Sequence, residues 1–138
     1  MAQFFLTKIR YQKTGDNGKP KKVTETYLVD ALSVTESEAK TVERLKSFLG
    51  EDYKVISSKE TRITEVFDIQ SDFFYLVKVG FITIDEKSGS EKRTISEILV
   101  GASNFDDAVK SFKAGMKGTM SDYDIVGVVE TPILEVIL

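Results

Sequence analysis

Two glutamates are candidate chemical groups because they lie in matching sequence contexts. Glu65 is followed by Val66, and Glu135 is followed by Val136, 70 residues later in the chain. Two carboxylates brought together in this way could share a proton or bind a cation. A glutamate on a strand is more often solvated or paired with a basic side chain, and this structural role is the one we expect for both.

The other acidic and glycine-rich candidates give weaker signals. Asp122 and Asp124 have the spacing of a carboxylate pair for Mg²⁺, but two acids alone do not define a metal site. The segment from Gly115 to Thr119 has the glycines of a phosphate loop, yet it follows a predicted helix, whose C-terminal dipole disfavours anions. We therefore expect no metal and no cofactor.

The composition excludes several classes of enzyme. The 138 residues include no cysteine and no histidine. This removes thiol nucleophiles, imidazole general bases and the ligands of most zinc and haem sites. No Gly-x-Ser-x-Gly motif is present either. We therefore predict a protein that binds a partner and is not an enzyme.

A basic segment between residues 8 and 22 gives the strongest binding signal. Six basic residues stand there against one acid, Asp16, in a chain whose formal net charge is −3. Cations that track phosphates beside aromatic rings, here Phe5 and Tyr11, are typical of single-stranded nucleic-acid binding. The candidate nucleic-acid contacts are Lys8, Arg10, Lys13, Lys19, Lys21 and Lys22, with Lys78, Lys92 and Arg93 near the matching positions later in the chain.

An alternative assigns this segment a structural role. The lysines would then keep an edge strand soluble. Phe5, Ile9 and Tyr11 alternate with polar residues, so they share one face of a strand. This alternation predicts that both aromatic rings point into the core.

The elements that position these groups follow from an internal repeat. When residues 52–67 are aligned with residues 122–137, seven of the 16 positions are identical, and residues 5–11 match residues 75–81 at the same offset of 70. The identical pairs are Asp52/Asp122, Tyr53/Tyr123, Glu60/Glu130, Thr61/Thr131, Ile63/Ile133, Glu65/Glu135 and Val66/Val136. We interpret the chain as two copies of one repeat, at about 1–68 and 73–138.

Each repeat predicts a β-hairpin, a helix and a closing strand or pair of short strands. In the first repeat Thr35 is the predicted N-cap and Gly50 the predicted helix end, with Ala39, Val42, Leu45 and Phe48 or Leu49 on the buried face. In the second, Asn104 or Ser103 caps a helix whose buried face holds Phe105, Ala108, Val109, Phe112 and Met116. The closing segment should break near Thr61 and Thr131, because Pro132 cannot lie inside a strand ladder.

The predicted fold class is α+β. An open hairpin with one helix cannot bury its apolar face alone, so we expect the two β-β-α-β(β) repeats to form a single compact domain. Mainly antiparallel sheets would share one core with two helices around a pseudo-twofold axis.

The whole chain resembles a functionally uncharacterised protein family, a domain of unknown function, of gut bacteria and their phages. The residues that carry the resemblance are Phe4–Tyr11, Val23–Ala31 and Glu60–Glu65. Because the family's activity is unknown, the resemblance transfers no catalytic residue. It implies a phage or mobile-element context, where small acidic proteins bind single-stranded DNA, act on host factors or sequester nucleotides. The element inventory is also similar to Whirly and Pur-type nucleic-acid binders, although their motifs are not matched.

Two functions follow as expectations. The first is non-enzymatic binding of single-stranded DNA or RNA through the basic residues. The second is a protein-interaction or small-ligand module, for example one that binds a nucleotide, with a cleft between the repeats lined by Tyr53, Tyr123, Glu65 and Glu135. We expect a cytoplasmic protein, because no secretory signal or membrane span is evident, and exposed terminal strand edges would permit a homodimer.

Overall fold

The computed structural model describes residues 3–119 and 122–138, and their fold is α+β. Its sheets are mostly antiparallel, as expected, and two helices accompany them. The elements are β1 (Phe4–Thr14), β2 (Pro20–Asp30), α1 (Val34–Leu45), β3 (Tyr53–Glu60), β4 (Ile63–Phe67), β5 (Phe73–Ile84), β6 (Glu91–Ala102), α2 (Phe105–Gly115), β7 (Asp122–Glu130) and β8 (Ile133–Ile137).

The chain divides into two compact units. The first unit contains Met1–Thr61 and Pro132–Leu138, and the second contains Arg62–Thr131. The first sheet has the strand order β3-β1-β2-β8, and the second has the order β4-β6-β5-β7. A single domain with one shared core and a pseudo-twofold axis stays a prediction.

The last strand of each sheet comes from a distant part of the chain. β8 pairs in parallel with β2, and β4 pairs in parallel with β6, whereas all other pairs are antiparallel. The predicted breaks are confirmed, because Thr61 separates β3 from β4 and Thr131 separates β7 from β8. Each threonine hydroxyl donates a 2.8 Å hydrogen bond to a backbone carbonyl, that of Phe4 or Phe74 respectively.

The first helix differs from the prediction at both ends. Its N-cap is Ser33, not Thr35, and the Ser33 hydroxyl accepts a hydrogen bond from the backbone N–H of Glu36. The helix ends at Leu45, five residues before Gly50. Ser33 is the better cap because the Glu36 carboxylate also reaches back to the N–H of Leu32, which completes a capping-box-like arrangement.

The buried face of α1 agrees with the prediction only in part, because Leu45 is buried and Leu49 packs against the same cluster. Ser37, Thr41 and Leu45 are buried, whereas Ala39 is exposed and Phe48 is 62% exposed. The second helix agrees better, since Asn104 is its N-cap and Ala108, Phe112 and Met116 are buried. Phe105, which was predicted to begin the buried face of this helix, is exposed.

Each unit has its own cluster of buried apolar side chains. In the first unit the cluster joins β1, β2, α1 and β8, and its members are Phe5, Ile9, Tyr27, Val29, Ala31, Leu45 and Ile137. In the second unit the cluster lies under α2 and contains Val77, Val79, Ile98, Val100, Phe112 and Met116. The inward orientation predicted for Phe5 and Tyr11 is confirmed, because both are at most 5% exposed.

The two helices are short. Among the described residues, neither has the length and apolar content that a membrane-crossing helix requires.

Candidate nucleic-acid interface

The basic residues of the first hairpin divide between the two faces of the first sheet. Thr7, Ile9 and Tyr11 are buried, and Thr7 contacts Ser37 of α1, so this face of β1 is covered by the helix. Lys8 and Arg10 alternate with them and are exposed. They therefore point to the opposite side of the sheet, which we call the open face.

Neighbouring strands add further cations to the open face. Cross-strand register places Lys22 opposite Gln12, Lys54 opposite Arg10 and Lys59 opposite Leu6. Directly opposite residues of an antiparallel pair share a face. Five exposed cations thus lie on three adjacent strands, and we call this set the cationic face: Lys8, Arg10, Lys22, Lys54 and Lys59.

The three strands that bear the cationic face contribute little opposing charge to it. Among the acidic residues in β1, β2 and β3, only Asp30 has the register of the open face, and it lies opposite Phe4 at the far end of β2. Arg10 is held across the sheet, because its Nε donates to the Thr24 hydroxyl at 3.3 Å. This end of the sheet therefore carries more positive than negative charge. Hydroxyl and amide groups lie between the cations, and the carboxylates of Glu51 and Asp52 line a pocket together with Arg10, Lys22 and Lys54.

The sequence pattern does not reveal Lys54 and Lys59 as members of the cationic face. Both lie in the segment that closes the first repeat, and their proximity to the hairpin depends on the pairing of β3 with the outer edge of β1. The spacing of Lys54 and Lys59 in the sequence gives no sign of that pairing. The signal that could have found them is the alternation of Tyr53–Glu60, with Val55 facing inward.

Three of the predicted contacts do not belong to the cationic face. Lys13 and Lys21 lie opposite each other on the side of the sheet that also bears Tyr11 and Glu25. The Nζ of Lys13 is 4.0 Å from Oε2 of Glu25. Lys19 lies in the turn that joins β1 to β2.

The basic residues of the second unit do not form a comparable surface. Lys78 lies opposite Glu97. Arg93 extends over Gly80, and its Nη2 is 3.4 Å from Oδ2 of Asp124. Acidic side chains therefore offset the positive charges of Lys78 and Arg93 on this face. Lys92, the remaining predicted nucleic-acid contact of the second unit, has the register of the opposite face.

The four residues predicted to line a cleft are divided between the units. Tyr53 and Glu135 belong to the first unit, and Tyr123 and Glu65 belong to the second. Glu135 has the structural role expected of it, because its Oε1 accepts hydrogen bonds of 2.9 Å from Nε and Nη2 of Arg44. Glu65 is exposed.

The two tyrosines of that set have different surroundings. Tyr123 packs edge-on against Phe112, with ring centroids 5.8 Å apart. Tyr53 is 42% exposed and is the only tyrosine classed as exposed among the five, all of which lie in the described part of the chain. Tyr53 is therefore available to a ligand, whereas Tyr123 helps to fill the core.

On the helix-covered side of the first sheet, the hydroxyls of two tyrosines bind one carboxylate. The hydroxyls of Tyr11 and Tyr27 donate to Oε1 of Glu25 at 2.6 and 2.9 Å. Burial, the hydrogen bond to Glu25 and its negative charge raise the pKa of Tyr11 to about 12. The same causes raise the pKa of Tyr27 further.

These shifts predict a loss of stability in alkali. A raised tyrosine pKa means that the fold favours the neutral phenol, so the stabilisation is present below the ordinary pKa of about 10 and is lost as the pH rises toward 12. We expect thermal unfolding to show a loss on the order of 2 kcal/mol for Tyr11 over this range. The matched variant Tyr11→Phe/Tyr27→Phe keeps both rings and should lose less; an equal loss in both proteins would contradict the assignment.

A group of hydroxyls is buried between α1 and the first sheet. The hydroxyl oxygens of Thr7 and Ser37 are 2.6 Å apart, Ser58 lies 3.3 Å from Thr7, and Thr41 donates to the carbonyl of Ser37. In the second unit, Val77 and Val128 have the register that Thr7 and Ser58 have in the first. The first unit therefore specifies the helix position partly by hydrogen bonds, and the second does so by apolar packing.

One member of this group belongs to a sequence pattern that is typical of nucleophilic catalysis. Ser37 and Lys40 have the Ser-x-x-Lys spacing of some acyl-transfer enzymes. Ser37 is 0% exposed, and Lys40 Nζ donates to the backbone carbonyl of Asp30 at 2.6 Å. A substrate has no access to this hydroxyl, so the pattern is structural here.

The acidic residues do not gather into a metal site. Asp124 is engaged by Arg93. Within residues 3–119 and 122–138, no group of three or more aspartate and glutamate side chains is arranged to hold a metal ion.

The chain matches a known protein family over nearly its whole length. Residues 3–138 match the family described as "Domain of unknown function (DUF4494)", and the chain therefore belongs to this family. No curated protein and no solved structure matches the chain.

Proposed function

We propose that this member of the DUF4494 family binds single-stranded nucleic acid, without catalysis, through the cationic face of its first unit. The observation that carries the proposal is the placement of five exposed cations on three adjacent strands. Cations arranged in this way attract a polyphosphate backbone and release its counterions.

The dimensions of the cationic face suit a short stretch of a single strand. Lys59 and Lys54 lie opposite Leu6 and Arg10, which are four residues apart on β1 because β3 bulges between them. This separation corresponds to about 13 Å at the usual rise of a strand. For comparison, a single OB fold binds roughly 4–16 nucleotides of a single strand. Gln12, Thr24 and Ser57 lie between the cations and can donate hydrogen bonds to phosphate or sugar oxygens.

A single strand fits this surface better than a duplex does. Sequence-specific reading of a duplex commonly requires a helix or a two-stranded ribbon that enters the major groove. Here α1 lies on the other side of the first sheet. The open face instead offers an exposed surface at the end that bears Lys8, Arg10 and Lys22, along which a short extended strand can lie. Toward its other end the same face is covered, because Phe4, Thr26 and Leu28 are buried.

Fluorescence anisotropy with a labelled dT12 oligonucleotide tests the proposal. Binding at about 50 mM salt should weaken as salt is raised, with a log–log slope of about −3 if four phosphates are contacted. A competing duplex of equal length should displace the oligonucleotide less efficiently than unlabelled dT12 does. Absence of any anisotropy change at low salt would refute the proposal.

We also infer that the chain arose by internal duplication. Support comes from the equivalent strand orders of the two sheets and from matching registers, since Thr7 lies opposite Tyr27 and Val77 lies opposite Ile98. Both helices have a side-chain N-cap, Ser33 in one and Asn104 in the other, 71 residues apart.

A phage or mobile-element context and a cytoplasmic location complete the proposal. The support for the phage or mobile-element context is the sequence resemblance carried by Phe4–Tyr11, Val23–Ala31 and Glu60–Glu65. In such a context, a small protein that coats exposed single strands would require no catalytic group.

A further inference from the structure

A pocket lies at the end of the cationic face, where β3 begins. Its volume is about 370 Å³, which is within the range of small-molecule sites. Cations, carboxylates and the exposed tyrosine contribute to its wall together: Arg10, Lys22, Lys54, Glu51, Asp52 and Tyr53.

We propose that this pocket holds one nucleotide of the bound strand and selects guanine. The inference rests on the proposed function, because the cationic face would deliver the strand to the pocket. It adds a base preference that phosphate contacts alone do not provide.

The phosphate of the nucleotide is the first group that the pocket recognises. Arg10 and Lys54 lie opposite each other on β1 and β3, and Lys22 lies on β2. The hydrogen bond from Arg10 Nε to the Thr24 hydroxyl fixes the guanidinium stem. The remaining guanidinium N–H groups are oriented donors that suit a phosphate.

The base of the nucleotide is the second group that the pocket recognises. Tyr53 offers an exposed ring next to these cations, and stacking on an aromatic side chain contributes to single-strand affinity without selecting a base. Tyr53 also lies opposite Tyr11 at the end of the β1–β3 ladder, which fixes its backbone. By this register Tyr53 belongs to the side of the sheet opposite to Arg10 and Lys54, and the pocket lies at the end of the ladder, where residues of both sides line it. The exposed ring of Tyr53 is therefore a stacking platform at the rim of the cationic face.

The carboxylates supply the selection. Glu51 and Asp52 are exposed and, when ionised, only accept hydrogen bonds. Guanine presents two adjacent N–H donors on its Watson–Crick edge, which is free in a single strand. Thymine and uracil place carbonyl oxygens on both sides of their single donor, and adenine and cytosine place an acceptor nitrogen beside theirs. A carboxylate in the pocket therefore favours guanine over the other bases.

Four labelled oligonucleotides test the inference: dT12, and dT12 with one central base replaced by dG, dA or dC. We expect the dG oligonucleotide to bind about 5- to 10-fold more tightly than the other three. Tyr53→Ala should weaken binding of the dG oligonucleotide about tenfold. The double variant Glu51→Gln/Asp52→Asn should bind the dT, dA and dC oligonucleotides more tightly, because it removes negative charge near phosphates, and should lose most of the preference for dG.

The matched control is Phe48→Ala. Phe48 is also an exposed aromatic residue of the first unit, but it does not line the pocket, so its removal should leave the affinities unchanged. Salt-dependent binding of dT12 without a base preference, together with no effect of Tyr53→Ala, would overturn the pocket inference and leave the proposed function standing. Failure of all four oligonucleotides to bind would overturn both.

Discussion

Replacing Lys8 and Lys22 with glutamate is expected to reduce the affinity for dT12 about 100-fold or more at about 50 mM salt. Both side chains belong to the cationic face, so the variant removes two phosphate contacts and adds two repulsive charges. The slope of log affinity against log salt should fall by about half, from about −3 to about −1.4, because fewer counterions are released.

The control is a second charge reversal on the same hairpin. Lys13→Glu/Lys21→Glu changes the net charge by the same amount, but these two residues point to the other side of the sheet. We expect a loss of no more than about fivefold, from the general field of the added charges. If the two double variants lose affinity equally, binding depends on overall charge and the cationic face has no special role.

Replacing Gly101 with alanine is expected to destabilise the protein by about 3 kcal/mol. An added Cβ would lie 2.0 Å from the backbone carbonyl oxygen of Asp68 and 2.6 Å from the Ser71 hydroxyl. The carbonyl cannot easily withdraw, because Asp68 already has a left-handed φ of 53° and its oxygen accepts a hydrogen bond from Ser71.

Thermal unfolding of Gly101→Ala measures this effect, and we expect the midpoint to fall by about 10 °C. Gly127→Ala is the matched control, because Gly127 also lies on a strand of the second unit and an added Cβ there meets nothing within 4 Å. A shift in Gly101→Ala no larger than that in Gly127→Ala would show that the segment after β4 adapts to the new methyl group.

Much of the local structure could be predicted from the sequence. Alternation placed Phe5, Ile9 and Tyr11 on the buried side of the first strand, and the threonines at 61 and 131 marked both strand breaks. These features are local, because side-chain direction on a strand repeats every two residues.

The first helix could not be predicted in the same way. Its buried face depends on tertiary contacts, since Ser37 and Thr41 are buried only because their hydroxyls find partners in Thr7 and in the helix backbone. A search for apolar periodicity passes over such residues and selects Ala39 and Phe48 instead.

The candidate site was predicted in part. Lys8, Arg10 and Lys22 are together on one face, as a strand hairpin allows. Local charge density could not separate them from Lys13 and Lys21, because the register of the hairpin decides which side each lysine takes. Lys54 and Lys59 join them only because their own strand, β3, pairs with β1, which lies some 50 residues earlier in the chain.

The parallel pairing of β8 with β2 has a consequence for synthesis of the protein. Every strand of the second unit has been translated once residue 131 is reached, whereas the sheet that bears the cationic face must wait for Ile133–Ile137. At about 5–20 residues per second, the ribosome takes roughly 5–20 s to proceed from β2 to its partner. During that interval the backbone groups of β2 that pair with β8 have no strand partner in the nascent chain. A stop codon before Ile133 would leave this edge of β2 unpaired permanently.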